Sequence, residues 1–358
     1  MKKIISLLLV VFMVVSFAAC GTKPTTDENN GDDVAATLKF GMGIVASYGD
    51  AKDADGDTNG ECKAETTAVA VLLDDAGKIV DIAIDTTEAK AAWTSEGVAS
   101  ATEEVKTKYE LGTAYNMAAA INYGPQNDRN GDGKVLEWFE QIDAFVATAK
   151  GKTLDEIKAF VGEDTYTTGD LAAAGCTISV GSIMAALEEA VKNAAASEAT
   201  AEDTVKIAFA TSVENTDATE EKEGSVEFEE TIVAAVTDKD GKVVVAKTDC
   251  AQIKVTFDTK GVATVDTAAE IKTKLDLGKD YGMAAAINYG PQNDPNGDGK
   301  VLEWNEQAAA FDAALVGKTA SEFASLADAD GKGTGDLATA GCTIGISDMI
   351  KAADKAAK

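Results

Sequence analysis

The chain reads as an α+β protein: two tandem copies of one domain, each a mostly antiparallel sheet packed against helices. Two observations carry this reading. Residues 115–138 (YNMAAAINYGPQNDRNGDGKVLEW) recur at 281–304 with changes only at Asn116/Gly282 and Arg129/Pro295. Within each copy, β-rich runs come first and helical periodicity follows, the order of segregated sheet and helix layers.

The correspondence continues through Glu140-Gln141 and Glu306-Gln307, through Gly151-Lys-Thr153 and Gly317-Lys-Thr319, and through Gly175-Cys-Thr-Ile178 and Gly341-Cys-Thr-Ile344. Upstream, DDAGKIVDIAI (74–84) matches DKDGKVVVAKT (238–248), two residues out of that register. The copies span 37–194 and 205–357, with 195–204 as a polar linker. A period this long predicts two complete domains rather than a solenoid.

Each copy opens on strands, Leu38–Val45 and Val205–Phe209. Thr67–Leu73 and Ser225–Val233 follow, then Asp/Gly turns, then Ile79–Ile84 and Val243–Val245. Paired β-rich runs around such a turn predict an antiparallel hairpin. A further strand is expected near 252–257, with its counterpart near Ala89–Trp93. Trp138, Ile142, Phe145, Val146 and Ala149 recur at helical spacing up to Gly151. Leu154, Ile157 and Phe160 predict a short second helix. Ser182–Ala194 and Ser347–Ala357 predict a last helix after an extended Gly-Cys-Thr-Ile strand, with Ser182 and Ser347 near its N-cap.

The N-terminus reads as an address. Lys2 and Lys3 precede an apolar run, Ile4–Ala19, which ends in Phe17-Ala-Ala-Cys20. The segment resembles the bacterial lipobox, which implies a signal peptide over 1–20 and acylation of Cys20. Residues 21–36 are polar and acidic, a flexible tether. No later run reaches the ~20 apolar residues of a membrane span. The expected location is extracytoplasmic, lipid-anchored to the cell membrane.

Composition excludes several activities. The 358 residues carry 32 basic and 61 acidic side chains, a net charge of −29, and no histidine. Phosphate backbones are repelled, so no nucleic-acid partner is expected. Histidine-based nucleophile pairs are ruled out. Carboxylates are too numerous for any spacing to single out an acid–base pair, so no catalytic constellation is read here.

Three constellations remain. Asp128, Asn130, Asp132 and Lys134 recur as Asp294, Asn296, Asp298 and Lys300 in a D-x-N-x-D-G-x-V pattern resembling an EF-hand or dockerin loop. Alternating oxygens around a glycine turn converge on a hard cation, calcium, with the lysines giving backbone carbonyls. The twelfth position is Phe139 or Asn305, and carboxylates fall instead at Glu137/Glu303 and Glu140/Glu306. An ion-free Asx-type turn satisfies the same residues. Asp53-Ala-Asp55-Gly-Asp57-Thr-Asn59 is a second acidic loop, in copy one alone. Four cysteines follow Cys20. The pairing Cys62–Cys176 and Cys250–Cys342 would place one disulfide in each copy, and buried thiols are the alternative.

Asp170…Gly175-Cys-Thr177-Ile-Ser and Asp336…Gly341-Cys-Thr343-Ile, each before an Ala-rich helix, resemble the FMN-binding domain family. There a transferase links FMN through its phosphate to the last Thr or Ser of D-x-x-[ST]-G-A-[ST]. The resemblance implies Thr177 and Thr343 as acceptors and a redox partner. The Asp-to-Thr spacing here is one residue longer than the family's, and cysteine replaces its alanine. Two functions therefore stand as expectations. One is a surface electron-transfer flavoprotein with tandem FMN-binding-like domains. The other is a non-enzymatic, calcium-stabilised binding or structural module without flavin.

Overall fold

The computed structural model describes residues 37–101, 104–118, 136–284 and 302–358. Strands β1 (Lys39–Tyr48), β2 (Gly60–Leu73) and β3 (Ile79–Trp93) form an antiparallel meander. Short β4 (Ala99–Ala101) extends it beside β3, and β5 (Ala195–Ala196) beside β1. A second meander holds β6 (Thr204–Thr216), β7 (Gly224–Thr237) and β8 (Val243–Phe257). The expected hairpins are present. Asp74 N–H donates to Lys78 O at 3.0 Å and Asp238 N–H to Lys242 O at 2.9 Å. Gly77 and Gly241 turn at φ of 75° and 74°, a conformation that favours glycine.

Two expectations are corrected. The separate segments expected at 79–84 and 89–93 are one strand, β3, and 243–257 is likewise one strand, β8. The polar residues between them do not break the ladder because they find partners; Thr86 and Thr67, for example, share a hydrogen bond of 3.0 Å. The Gly-Cys-Thr-Ile stretch is not a strand: it leads to single bridges, Tyr166–Ser179 and Lys332–Gly345. The last helices start at Gly181 and Ser347, within one residue of the expected starts; Val180 and Ile346 hold the N-cap positions, with Ser182 and Ser347 one or two residues on.

The first copy carries α1 (Lys108–Leu111), α2 (Trp138–Ala149), α3 (Leu154–Lys158), α4 (Gly169–Ala173) and α5 (Gly181–Lys192). The second carries α6 (Lys274–Leu277), α7 (Trp304–Leu315), α8 (Gly335–Thr339) and α9 (Ser347–Ala356), with a 3-10 turn at Ala320–Leu326 where α3 stands in the first. Among the described residues, no helix is long and apolar enough to cross a membrane. Helices cover the outer face of each sheet. In copy one, Val69 and Val71 meet Ile142, Phe145 and Leu187; in copy two, Val233 and Ala235 meet Phe311, Phe323 and Ala352. Helix α5 lies unusually close to β1. A Cβ at Gly41 or Gly43 would come within 2.0 Å of Ala190 O or 2.2 Å of Ala186 O.

The inner faces of the two sheets pack on each other. Phe40, Met42 and Leu72 meet Phe209, Ile232 and Val236 at one end; Ala64, Ala91 and Trp93 meet Phe228, Ile253 and Phe257 at the other. All described residues fall in one compact unit, layered helix–sheet–sheet–helix. Both faces of the central strands are therefore buried, and each fully buried large apolar side chain contributes about 1.5–3 kcal/mol. Trp93 stacks on Phe257, its equivalent, at 4.9 Å and 4°. Gly261 O accepts from both Trp93 Nε1 (2.9 Å) and Ala54 N–H (2.8 Å), while Gly97 O accepts from Ala218 N–H (2.8 Å). The 195–204 stretch belongs to this arrangement, since Ala195 and Ala196 pair with β1 and Ala199 is buried between the sheets.

One carboxyl lies in the inter-sheet layer. Glu230 is fully buried, and its Oε1 accepts from Thr87 Oγ1 at 2.8 Å. Burial pushes it up to about 7, against the pull of Thr66 and Thr87. Well below the ordinary carboxylate value, folded and unfolded chains both hold the proton, and its full contribution is present. As pH rises to about 7, the unfolded chain ionises first and stability falls. Glu230→Gln is expected to raise the melting temperature above about pH 7 and flatten this slope, an effect on the order of 2–3 kcal/mol. Melting curves of both proteins across the acid-to-neutral range check it, and parallel slopes would contradict it. Residues 205–358 expressed alone are expected to expose the inner sheet face, bind a hydrophobic dye and lack a cooperative melt, as calorimetry would show.

Candidate functional site

The site begins with a short helix held at its N-terminus from two sides. Thr107 caps α1: its Oγ1 accepts from Glu110 N–H at 3.0 Å, and Glu110 Oε2 accepts from Thr107 N–H at 3.0 Å. Asp85, on β3, accepts from Tyr109 N–H at 3.2 Å and from Thr86 N–H at 2.8 Å. Copy two repeats this. Thr273 and Asp276 form the box, and Asp249 accepts from Leu275 N–H at 3.0 Å and Cys250 N–H at 2.7 Å. Burial pushes Asp85 up to about 6 and Asp249 to about 7, against these donors. So anchored, each helix turns its first residue, Lys108 or Lys274, inward.

Lys108 Nζ donates to Glu65 Oε2 at 2.8 Å, with Glu88 Oε2 at 3.8 Å. Its side chain is only 9% exposed, whereas that of Glu65 is 33% exposed, so the pair opens on the carboxylate side. The ammonium lies 5.3 Å from the Tyr115 ring centre and 6.0 Å from that of Trp138. In copy two, Lys274 Nζ donates to Glu229 Oε1 at 2.8 Å and lies 5.2 and 5.4 Å from the Tyr281 and Trp304 rings. Burial alone would lower both lysines; Glu65 and Tyr115 outweigh it for Lys108, and Cys250 and Glu229 for Lys274, so both are raised and charged. The lysine stems and aromatic faces form one wall, held by cation–π contact as well as by the ion pair.

A cavity of about 220 Å³ opens beside Lys108. Glu65, Thr67, Thr86, Tyr115, Trp138 and Ser182 line it, with Met117, Ile178 and Ile183 as its apolar part. Larger clefts, of about 780 and 480 Å³, run between the copies at 270–276 and 104–110. Their rims mix lysines with Asp and Glu and lack an aromatic wall, whereas a third cleft, of about 370 Å³ between Ile82, Ile142, Val146, Ile207 and Tyr109, is largely apolar. The smaller cavity is the one lined by the repeated lysine–glutamate pair and two aromatic rings.

Gln141 ties this site together. Its Nε2 donates to Leu136 O at 3.0 Å, and its Oε1 accepts from Thr177 N–H at 2.8 Å and Thr177 Oγ1 at 3.2 Å. Gln307 does the same with Leu302 O (3.0 Å), Thr343 N–H (2.9 Å) and Thr343 Oγ1 (3.4 Å). Thr177 and Thr343 are thus buried, 4% and 6% exposed, with hydroxyls facing glutamine. Thr177 does not line the cavity. To carry a phosphoester, either hydroxyl would have to leave the core and its glutamine.

The other expected site residues are placed as follows. Cys20 and the loop residues Asp128, Asn130, Asp132, Lys134, Asp294, Asn296, Asp298 and Lys300 lie outside the described residues. Among the described residues, no group of three or more acidic or cysteine side chains could hold a metal ion. Glu137 Oε2 accepts from Met117 N–H at 2.8 Å and Glu140 Oε2 from Glu137 N–H at 2.9 Å, so both carboxylates serve the start of α2. In the second acidic loop, Asp53 Oδ1 accepts from Ala263 N–H at 2.8 Å, and Asp55 and Thr58 close a tight turn on each other. The disulfide pairing is corrected: all four cysteines are free and buried. Cys62 faces the inter-sheet core and Cys176 the helix side of the sheet, so the sheet separates them. Cys250 and Cys342 share a core without a bridge. Burial pushes Cys62 up to about 11 and Cys176 and Cys342 to about 12, which makes them inert thiols.

Sequence reasoning passed over Lys108, Glu65, Asp85 and their counterparts. A signal was available in Thr107-Lys-Tyr-Glu-Leu-Gly112 and Thr273-Lys-Leu-Asp-Leu-Gly278, a capping box closed by glycine.

Gln141→Leu would remove the acceptor of Thr177 N–H and the donor to Leu136 C=O, at about 1–3 kcal/mol each. A melting temperature lower by several degrees is expected, and an unchanged one would show that the clamp does not stabilise the fold. No protein-family model, no curated protein and no solved structure matches this chain, so the chemistry of the site rests on its own side chains.

Proposed function

We propose that this protein is a lipid-anchored, extracytoplasmic binding module that holds a small ligand at the lysine–glutamate site of each copy, without catalysing a reaction. The observation that carries it is the repeated constellation. A buried lysine paired with a glutamate at 2.8 Å and flanked by a tyrosine and a tryptophan is present in both copies. A stability role alone needs no buried ion pair, because desolvation offsets most of its Coulomb gain. A cavity with aromatic walls and a few placed polar groups is the ordinary form of a ligand site. Neither lysine serves as a base near neutral pH, since both are held charged.

The lipobox-like Phe17-Ala-Ala-Cys20 supports the anchor, and the polar stretch after it supports display away from the membrane. Calcium at the two Asp/Asn/Gly loops remains part of this reading as a structural clip. Flavin carriage ranks second, because the hydroxyls of Thr177 and Thr343 face Gln141 and Gln307 in the core.

Native and denaturing mass spectrometry of the full chain from its own cells tests this. The expected result is a noncovalent ligand, lost on denaturation and absent from the Lys108→Met/Lys274→Met variant, with no added mass on Thr177 or Thr343. An FMN phosphoester on either threonine would overturn it in favour of a flavoprotein.

A further inference from the structure

The pocket walls also bear on what fills them, an inference that rests on the binding reading above. We propose that the pocket beside Lys108 takes one ring of a neutral, polyhydroxylated ligand, a sugar, and that the matching side chains around Lys274 take another.

Charge is the first ground. Lys108 faces Glu65 at 2.8 Å and Glu88 at 3.8 Å, and Glu88 is itself paired with Lys63 at 2.6 Å, so these four groups sum to zero. In copy two, Gln252 stands opposite Glu229 on the neighbouring strand, as Glu88 does opposite Glu65, and Lys274 with Glu229 sums to zero. A phosphate or carboxylate ligand would meet an ammonium already neutralised, on a chain of net charge −29. A cationic ligand would meet the ammonium itself in the pocket wall. A neutral ligand meets neither penalty.

Hydrogen-bonding character is the second. The lysine donates only and the glutamate accepts only, and the two sit side by side. Adjacent hydroxyls on one ring can engage both at once, one accepting and one donating. The remaining polar lining is hydroxyl: Thr67 and Thr86, bonded to each other at 3.0 Å, with Ser179, Ser182 and Tyr115. Hydroxyls rotate to donate or accept, which matches a ligand whose own groups do both. A carboxylate ligand can only accept, and would compete with the glutamate for the one ammonium.

Size and shape are the third. At about 220 Å³ the cavity is below the ~300–1,000 Å³ of sites for drug-sized ligands. It suits one ring rather than an extended cofactor. Half-buried Tyr115 supplies a flat apolar face beside the polar pair, backed from the core by Trp138, as a ring with a C–H face and a hydroxyl edge requires. Binding energy then comes from stacking and from hydrogen bonds that a non-hydroxylated analogue could not make.

The test uses tryptophan emission and melting temperature of the full chain. Trp138 and Trp304 lie in the two sites, and Trp93 lies between the sheets. The probes are glucose, galactose and N-acetylglucosamine, their linear tetrasaccharides, and, at matched ionic strength, sodium phosphate, sodium acetate and FMN. At least one neutral sugar is expected to shift the emission saturably and raise the melting temperature, with little dependence on salt. Trp93→Phe should keep the shift. Lys108→Met/Lys274→Met should weaken binding about tenfold or more. If that variant loses its native circular dichroism, Tyr115→Ala and Ser182→Ala supply the same readout. A tetrasaccharide binding more tightly than its monomer would identify a polysaccharide source, and equal binding a free sugar. Lysine-dependent binding of phosphate, acetate or FMN without any sugar response would overturn the sugar assignment and leave the pocket reading intact. No response to any probe would also overturn it, and the mass-spectrometric result would then decide the pocket reading by itself.

Discussion

The apolar contact between the two sheets is the constraint on which the rest depends. Each three-strand meander buries helices on one face and the other meander on its opposite face. Neither inner face has another cover among the described residues. The hydrophobic effect therefore acts once for both copies, and the stacked Trp93–Phe257 pair and the exchanged backbone bonds at Gly97 and Gly261 fix their register. The same layer has room for a polar exception in Glu230, whose burial makes its proton part of the fold.

On that platform, the sites are built by helix ends rather than by strands alone. A four-residue helix is too short to persist by itself. Here α1 and α6 persist because a threonine box and a buried aspartate satisfy their first N–H groups. The aspartates thus do structural work that places Lys108 and Lys274 against the carboxylates of β2 and β7. Gln141 and Gln307 fix the opposite wall, tying the chain before α2 and α7 to the segment that leads into α5 and α9. The two copies keep these contacts while their rims diverge, with Glu88 and Thr86 in one and Gln252 and Cys250 in the other.

Much of this was legible in the residues themselves. Asp/Gly turns flanked by β-branched runs located both hairpins, and helical spacing after Trp138 located α2. The continuous apolar runs Thr67–Leu73 and Thr231–Val236 were also a signal that went unused: a strand covered on one face alternates, and one covered on both does not. Asp85–Glu88 lies between the two segments expected as separate strands; α1, Thr67, Glu230 and Lys63 satisfy its side chains and let the ladder run through. The cysteine pairing failed for a related reason, since matching one cysteine with another in each copy ignores which face of a strand each occupies.

The sequence by itself determined the α+β class, the turns and most helices, because these depend on local backbone preferences and on periodicity within a few residues. It could not determine that the copies share one core, that Thr177 faces Gln141, or that Lys108 meets Glu65 across more than forty positions of chain. Those are contacts between faces, and a face is defined only after strands pair and sheets stack. Tertiary structure decided them because burial is a property of the assembled surface, not of any one segment.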